Sequence, residues 1–120
     1  MKKVLLDENL DRRLKIYFSD KLEVIAVPDL GWQSMKNGEL LAAMTEAKFD
    51  YLLTADKSLR FQQNLAAFEV KVIVLLVYDT RLKFLRPYVG EIEQRIFEFD
   101  ESQNFLEIDL RNRIFGEGKG

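Results

Sequence analysis

The chain has 120 residues, of which 48% are hydrophobic and 32% are charged, and this composition is typical of one globular domain with a single core. Its net charge of -2 argues against a protein whose whole surface binds nucleic acid. Cysteine and histidine are both absent from the sequence, which excludes disulfides, thiolate metal sites, thiol nucleophiles and imidazole bases. The remaining carboxylate, amide, hydroxyl and cationic groups suit Mg²⁺ or Mn²⁺ far better than zinc.

The predicted elements alternate between strands and helical segments. In chain order they are a strand over 4–6, a helix over 10–19, a strand over 22–27, an irregular loop over 29–36, a helix from 37, a strand over 50–54, a short helical segment around 59–68, a central strand over 71–77, a helix over 82–99 and an edge strand over 105–110. Asn9 is the predicted cap of the first helix, and Asn37 or Ser34 that of the second. Pro87 either kinks the last helix or marks its true start.

This order of elements predicts one domain over residues 1–110, followed by a flexible tail over 111–120. We expect a three-layer α/β/α fold with a mostly parallel sheet of four to five strands. The longest apolar run, 72–77, is far shorter than the roughly 20 residues of a membrane-spanning helix. The start of the chain has too few apolar residues for a signal peptide. These features predict a cytoplasmic protein with no membrane contact.

Two predicted strands end at carboxylates, because Asp7 follows the first strand and Asp56 the third. If these strands are parallel neighbours about 4.8 Å apart, both side chains lie at the edge where open α/β sheets bind ligands. Carboxylates that close repel unless a proton or a divalent cation lies between them. Mg²⁺ held by Asp7, Asp56 and Glu8 would lower the pKa of a bound water and permit phosphodiester hydrolysis.

Each of these residues also has a purely structural interpretation. Asp7, Asn9 and Asp56 precede predicted helices, where side-chain oxygens cap free backbone N–H groups. Glu39 lies in a first helical turn, where its charge suits the helix dipole. Glu8 is either solvated or paired with Arg12.

A weaker pattern of cationic and polar residues surrounds the same predicted edge. The cations that could hold phosphates there are Lys36, Lys57, Arg60, Arg12 and Arg13. The candidate substrate contacts are Asn9, Lys57, Ser58 and Arg60.

Four blocks, LLDENL, AVPDLGWQSMKNGELLAAM, FDYLLTADKSLRFQQNL and KVIVL, resemble the small PIN-like domain family of uncharacterised proteins, distant relatives of PIN nucleases and VapC-type toxins. The resemblance covers Lys3 to Leu76. It implies a three-layer α/β/α fold, a Mg²⁺-dependent ribonuclease activity and a small antitoxin partner. It also leaves room for a homodimer, which the apolar stripe of helix 82–99 could form if that stripe is not core.

Carried over by position, Asp7 corresponds to the first acid of the PIN site and Asp56 to the acid after the late strand. The third acid falls on Asn37, which could orient water, and Glu39 or Glu8 would replace the helical glutamate. Two carboxylates therefore stand where a PIN nuclease has three or four.

Three hypotheses follow: a Mg²⁺- or Mn²⁺-dependent endoribonuclease, which the resemblance would make the toxin of a toxin-antitoxin pair; a catalytically degenerate module that binds protein or RNA; and a receiver-like phosphoacceptor at Asp56.

Overall fold

A computed structural model of the chain describes residues 1–59 and 67–111. Five strands form one sheet in the order β2-β1-β3-β4-β5, and every neighbouring pair is parallel. The strands are β1 (Lys2–Leu6), β2 (Leu22–Ala26), β3 (Tyr51–Thr54), β4 (Lys71–Leu76) and β5 (Phe105–Asp109). β4 is an interior strand between β3 and β5, and β5 lies at an edge, as their patterns of apolar residues predict.

Within residues 1–59 and 67–111, the connections between the strands include three α-helices and three short 3-10 helices. The α-helices are α1 (Asn37–Glu46), α2 (Leu82–Leu85) and α3 (Val89–Phe97), and the 3-10 helices span Arg12–Tyr17, Val27–Leu30 and Arg86–Tyr88. They cover both faces of the sheet, so the fold is a three-layer α/β/α arrangement with a fully parallel sheet of five strands. The predicted fold class is confirmed.

The sheet has two covered faces, each with its own apolar core. Face A is covered by the 3-10 helix Arg12–Tyr17 and by α2 and α3, and its core includes Val4, Leu6, Leu14, Leu53, Ile92 and Ile96. Face B is covered by Val27–Leu30 and α1, and its core includes Leu5, Leu41, Met44, Leu52 and Leu59. Alternate residues of β1 and β3 therefore point to opposite layers, as the two-residue period of a strand requires.

The segment after β1 differs from the predicted α-helix over 10–19. It forms a 3-10 helix over Arg12–Tyr17, whose cap is Asp11 and not Asn9, because the Asp11 side chain accepts a hydrogen bond from the Arg13 backbone N–H. Branched and aromatic residues of low helix propensity, Ile16 and Tyr17, occupy its last turn. The short connection to β2 is thus made without a regular α-helix.

The start of α1 also differs from the prediction. Lys36 is the cap residue and forms no side-chain cap bond, whereas Asn37 is already the first helical residue, so capping by Asn37 or Ser34 was wrong. Part of the predicted irregular loop is helical, since the 3-10 helix Val27–Leu30 enters it. Most of the predicted helical segment around 59–68, and the tail from 112, lie outside the described residues.

The apolar stripe of the last helical region belongs to the core of face A. Pro87 lies in the 3-10 turn that separates α2 from α3, so the helix predicted over 82–99 is interrupted there. Five of the six stripe residues, Leu85, Val89, Ile92, Ile96 and Phe99, are buried, and Leu82 is half-buried. The stripe therefore packs mainly in the core, and the homodimer stays a prediction. Among the helices of the described chain, none is long and apolar enough to cross a bilayer.

Tyr51 makes the stability of the domain sensitive to alkali. Its side chain is 2% exposed, its ring lies 5.5 Å from that of Phe99, and its hydroxyl donates a hydrogen bond of 3.5 Å to Glu101. Burial, and then the charges of Glu101 and Asp50, raise the pKa of Tyr51 to about 12 from 10.0. Because the folded-state pKa is raised, this contribution to stability is complete below pH 10.0 and is lost as the pH rises towards 12.

We predict that the free energy of unfolding of the native protein falls by about 1.4 kcal/mol more than that of Tyr51→Phe between about pH 9 and pH 11. Other tyrosines and lysines titrate in both proteins and cancel in the difference. Denaturant unfolding at the two pH values measures it. An equal fall for both proteins would contradict the buried, neutral phenol.

Candidate functional site

The carboxyl ends of β1 and β3 form a topological switch point. These strands are neighbours, yet the segment after β1 crosses face A, where Leu10 and Leu14 are buried. The segment after β3 turns instead towards face B, where Leu59 is buried. Two connections that leave neighbouring strands in opposite directions open a crevice between them, and open α/β sheets bind ligands there.

Asp7 and Thr54 are in direct contact at this switch point. Leu6 pairs with Leu53 in the β1–β3 register, so the next residues of the two strands stand side by side. The Thr54 hydroxyl donates a hydrogen bond of 2.6 Å to Asp7 Oδ2. A bond of this length to a carboxylate is a charge-assisted one, and it fixes the direction of the Asp7 side chain.

The same Thr54 hydroxyl links Asp7 to the loop that carries Asp56. Its oxygen accepts hydrogen bonds from the Asp56 backbone N–H at 3.0 Å and from Asn9 Nδ2 at 3.2 Å. Asn9 Oδ1 in turn accepts from the Ala55 backbone N–H at 3.2 Å. We call Asp7, Asn9, Thr54 and Asp56 the edge cluster. The sequence-based expectation that the residues after β1 and β3 converge on one edge agrees with this geometry.

Each carboxylate of the edge cluster is held by backbone as well as side-chain donors. Asp7 Oδ1 accepts from the Glu8 backbone N–H at 2.8 Å. Asp56 Oδ1 accepts from the Ser58 backbone N–H at 3.0 Å and from the Ser58 hydroxyl at 2.7 Å. The contact to the N–H two residues on is that of a capping aspartate, so Asp56 has a structural role through Oδ1. Its Oδ2 has no hydrogen-bond partner within residues 1–59 and 67–111.

Asn9 is a member of the cluster and not the helix cap that its position suggested. Both roles use the same side-chain amide, and only the strand register decides between them. Ser58 contributes to the cluster by orienting Asp56.

Glu8, Asn37 and Glu39 are not joined to the carboxylates in the same way. The Glu8 and Glu39 side chains are exposed, and neither forms a hydrogen bond or ion pair in the described part of the chain, so Glu8 does not pair with Arg12 there. Asn37 is half-buried in the first turn of α1. The carboxylates of the edge cluster are therefore Asp7 and Asp56 alone.

The donor set of this edge consists of hard oxygen ligands. Within the described ranges, no group of three or more acidic, histidine or cysteine side chains could hold a metal ion. Mg²⁺ commonly uses one or two carboxylates and completes its octahedron with water and substrate oxygens. Within the edge cluster, Asp7 and Asp56 supply carboxylates of this kind, whereas the Thr54 hydroxyl and the Asn9 amide oxygen are already engaged in hydrogen bonds.

Thr54 is the member of the cluster that sequence reasoning missed. It is 0% exposed and is the buried polar residue of the described chain. A threonine that ends an otherwise apolar strand two residues before an aspartate was the available signal. The cations Arg81, Lys83, Arg86 and Arg111 were missed as well, because their positions depend on tertiary packing.

Lys57 and Arg111 line a small cavity of about 90 Å³ at the carboxyl ends of β3 and β4. Arg111 binds Asp109 through two hydrogen bonds of 3.0 and 2.8 Å, which hold the pKa of that carboxyl at about 2. Lys57 is exposed and forms no ion pair among the residues described. The predicted contact Arg60 lies outside the described residues.

Comparison of the chain with protein-family models, with curated proteins and with solved structures finds no match. The PIN-like resemblance therefore stays a prediction.

Thr54 permits a direct test of the cluster by two matched substitutions. Thr54→Val keeps the shape of the side chain but leaves Asp7 Oδ2, Asn9 Nδ2 and the Asp56 N–H without their partner, so we expect a loss of ~1–3 kcal/mol in the free energy of unfolding. Thr54→Ser keeps the hydroxyl and removes one methyl group, which costs about 0.8 kcal/mol plus a small cavity term.

Urea unfolding measures both variants. We expect the valine variant to be the less stable of the two, although it buries more apolar surface. The reverse order would show that the hydroxyl does not organise the edge cluster.

Proposed function

We propose that the protein is a Mg²⁺- or Mn²⁺-dependent phosphodiesterase that cleaves RNA internally, with Asp7 and Asp56 as its metal ligands. The observation that carries this proposal is the hydrogen-bonded Thr54 hydroxyl, which ties the two aspartate loops together at a switch point of a parallel sheet. Ligands of open α/β sheets bind at such points, and paired carboxylates there suit a hard divalent cation.

The residues of the edge cluster have distinct tasks in this proposal. Asp7 is held rigid by Thr54 and by the Glu8 N–H, and Asp56 presents Oδ2 while Ser58 holds Oδ1. Asn9 keeps its amide fixed between the two loops. A bound Mg²⁺ or Mn²⁺ would neutralise phosphate charge and lower the pKa of a water, which supplies a nucleophile in a chain without histidine.

Cations flanking the edge cluster would bind the substrate. Lys57 is one residue from Asp56, is exposed and lacks an ion-pair partner among the described residues, so its ammonium group is available to a phosphate. Contacts of this kind position a nucleic-acid strand without reading its sequence. Glu8 is exposed and follows Asp7 in the sequence, and Glu39 is exposed in the first turn of α1. We propose both only as assisting acids, and Asn37 as a residue that orients water.

A second function is a binding module that has lost catalysis. It is favoured by the double hydrogen bond from Ser58 to Asp56 Oδ1, because a capping aspartate is explained without any metal. In that case the cluster only shapes the edge, and RNA or a protein binds there. The antitoxin partner and the homodimer implied by the resemblance stay predictions under either function.

The two functions differ in their response to a double substitution of the aspartates. We expect the native protein to bind Mn²⁺ in titration calorimetry and to cleave single-stranded RNA, and Asp7→Asn, Asp56→Asn to do neither. Because a metal ion supplies several kcal/mol of transition-state stabilisation, the cleavage rate should fall by roughly 100-fold or more. Asp20→Asn removes one exposed carboxylate before β2, at the opposite edge, and serves as the control.

Equal Mn²⁺ binding by the double variant would refute the metal assignment. RNA cleavage by highly purified protein that is lost in Asp7→Asn but kept in Asp20→Asn would exclude the binding module.

A further inference from the structure

A second, larger cavity lies on face A, between the segment that follows β1 and the segment that follows β4. Its volume is about 380 Å³, and it is lined by Asp11, Arg13, Arg81, Leu82, Lys83 and Arg86. We call it the basic cavity. Both contributing segments leave the carboxyl edge of the sheet, so the cavity opens on the same edge as the edge cluster.

Two of the four cations in the basic cavity are neutralised by carboxylates. Arg13 binds Asp11 in a bidentate pair, and this contact holds the pKa of Asp11 at about 2. Arg81 binds Asp79 in the same way, with distances of 3.0 and 2.8 Å. Lys83 and Arg86 form no ion pair within the described chain. The cavity therefore carries two uncompensated positive charges on a protein whose net charge is -2.

Aromatic rings orient these cations. The Arg86 guanidinium lies 4.9 Å from the ring centroid of Tyr17, and Arg81 and Lys83 lie 5.1 and 5.2 Å from that of Phe84. Cations at such distances are attracted by the ring faces, which restricts their rotation before a ligand arrives. An arginine held in this way presents a planar fork of donors that matches the oxygens of a phosphate.

The basic cavity lies close to Asp7. The Leu10 N–H donates a hydrogen bond of 3.0 Å to the Asp7 carbonyl, which closes a tight turn. The Cα atoms at the two ends of such a turn lie within about 7 Å of each other. The Cα atom of Asp11, one residue further on, therefore lies within about 11 Å of the Cα atom of Asp7. One polyanionic strand can therefore contact both sites.

We propose that the basic cavity binds phosphate groups of a single-stranded RNA and thereby holds the strand whose adjoining phosphodiester lies at the edge cluster. The assignment of the ligand as RNA rests on the proposed function, whereas the assignment of a phosphate site rests on the geometry of Arg86 and Lys83. The cavity combines two arginines that are paired with aspartates and two cations, Lys83 and Arg86, that form no ion pair within the described chain. This arrangement suits a backbone phosphate, which is bound by its charge and carries no sequence information.

The test measures RNA binding apart from cleavage. All proteins carry Asp7→Asn, and a fluorescent single-stranded oligoribonucleotide is titrated in EDTA over a series of salt concentrations. Lys83→Gln, Arg86→Gln is compared with Lys21→Gln, Lys48→Asn, which removes two exposed lysines at the opposite, amino edge; asparagine tolerates the positive φ of 67° at position 48. Thermal unfolding confirms that each variant is folded.

Loss of two phosphate contacts should reduce the slope of log K against log salt by about 1.4, which corresponds to roughly 20-fold weaker binding at about 0.1 M salt. The amino-edge control should keep the slope of the parent protein. Equal weakening in both double variants, or no weakening in Lys83→Gln, Arg86→Gln, would overturn the proposal.

A competition experiment distinguishes binding of an RNA phosphate from binding of inorganic phosphate. Displacement of the oligoribonucleotide by unlabelled RNA but not by inorganic phosphate at a matched phosphate concentration supports the strand. Displacement by inorganic phosphate alone would overturn the RNA assignment. Because no cleavage is measured, a native protein that binds RNA but never cleaves it would refute the hydrolytic proposal and leave the basic cavity standing.

Discussion

One buried hydroxyl organises the edge cluster of this protein. Thr54 is 0% exposed, donates to Asp7 and accepts from two donors on separate loops. Hydrogen bonds are electrostatically stronger in such a dry setting than in water, and a missing partner is correspondingly expensive. The position of Asp7 relative to the Asp56 loop therefore depends on the packing of β1 against β3, not on the loops themselves.

The topology of the sheet explains why charge gathers at this edge. Connections leave β1 and β3 towards opposite faces, and Asp7 and Asp56 follow these two strands at their carboxyl ends. Lys57 flanks the cluster near the ends of β3 and β4, and Arg86 and Lys83 line the basic cavity on face A. A protein with a net charge of -2 can thus offer a local positive path to a polyanion.

Much of this architecture could be predicted from the sequence. Apolar runs such as 4–6 and 71–77 specify buried parallel strands, and the acids that end them must lie at the carboxyl edge. The role of Asn9 could not be predicted, because capping and cross-strand bonding require the same side chain. The basic cavity was also out of reach, since Asp11 and Arg86 meet only through tertiary packing.

The type of the first helical segment was also predicted incorrectly from the sequence. Apolar spacing between Leu10 and Phe18 satisfies an α-helix, but a short connection with weak helix formers settles into a 3-10 turn capped by Asp11. The buried residues of this segment pack in the core of face A, as they would in an α-helix. Periodicity therefore predicted the burial of Leu10, Leu14 and Phe18 correctly, but the burial of Tyr17 and the helix type incorrectly.

Paramagnetic broadening by Mn²⁺ tests whether Asp7 and Asp56 hold a cation, because it locates a bound cation on the folded chain. Backbone amide signals of ¹⁵N-labelled protein are followed while substoichiometric Mn²⁺ is added. We expect selective loss of the signals of Glu8, Ala55, Asp56 and Ser58, with those of Lys48 and Gln103 at the opposite edge preserved. Uniform broadening, or broadening centred away from Asp7 and Asp56, would contradict it.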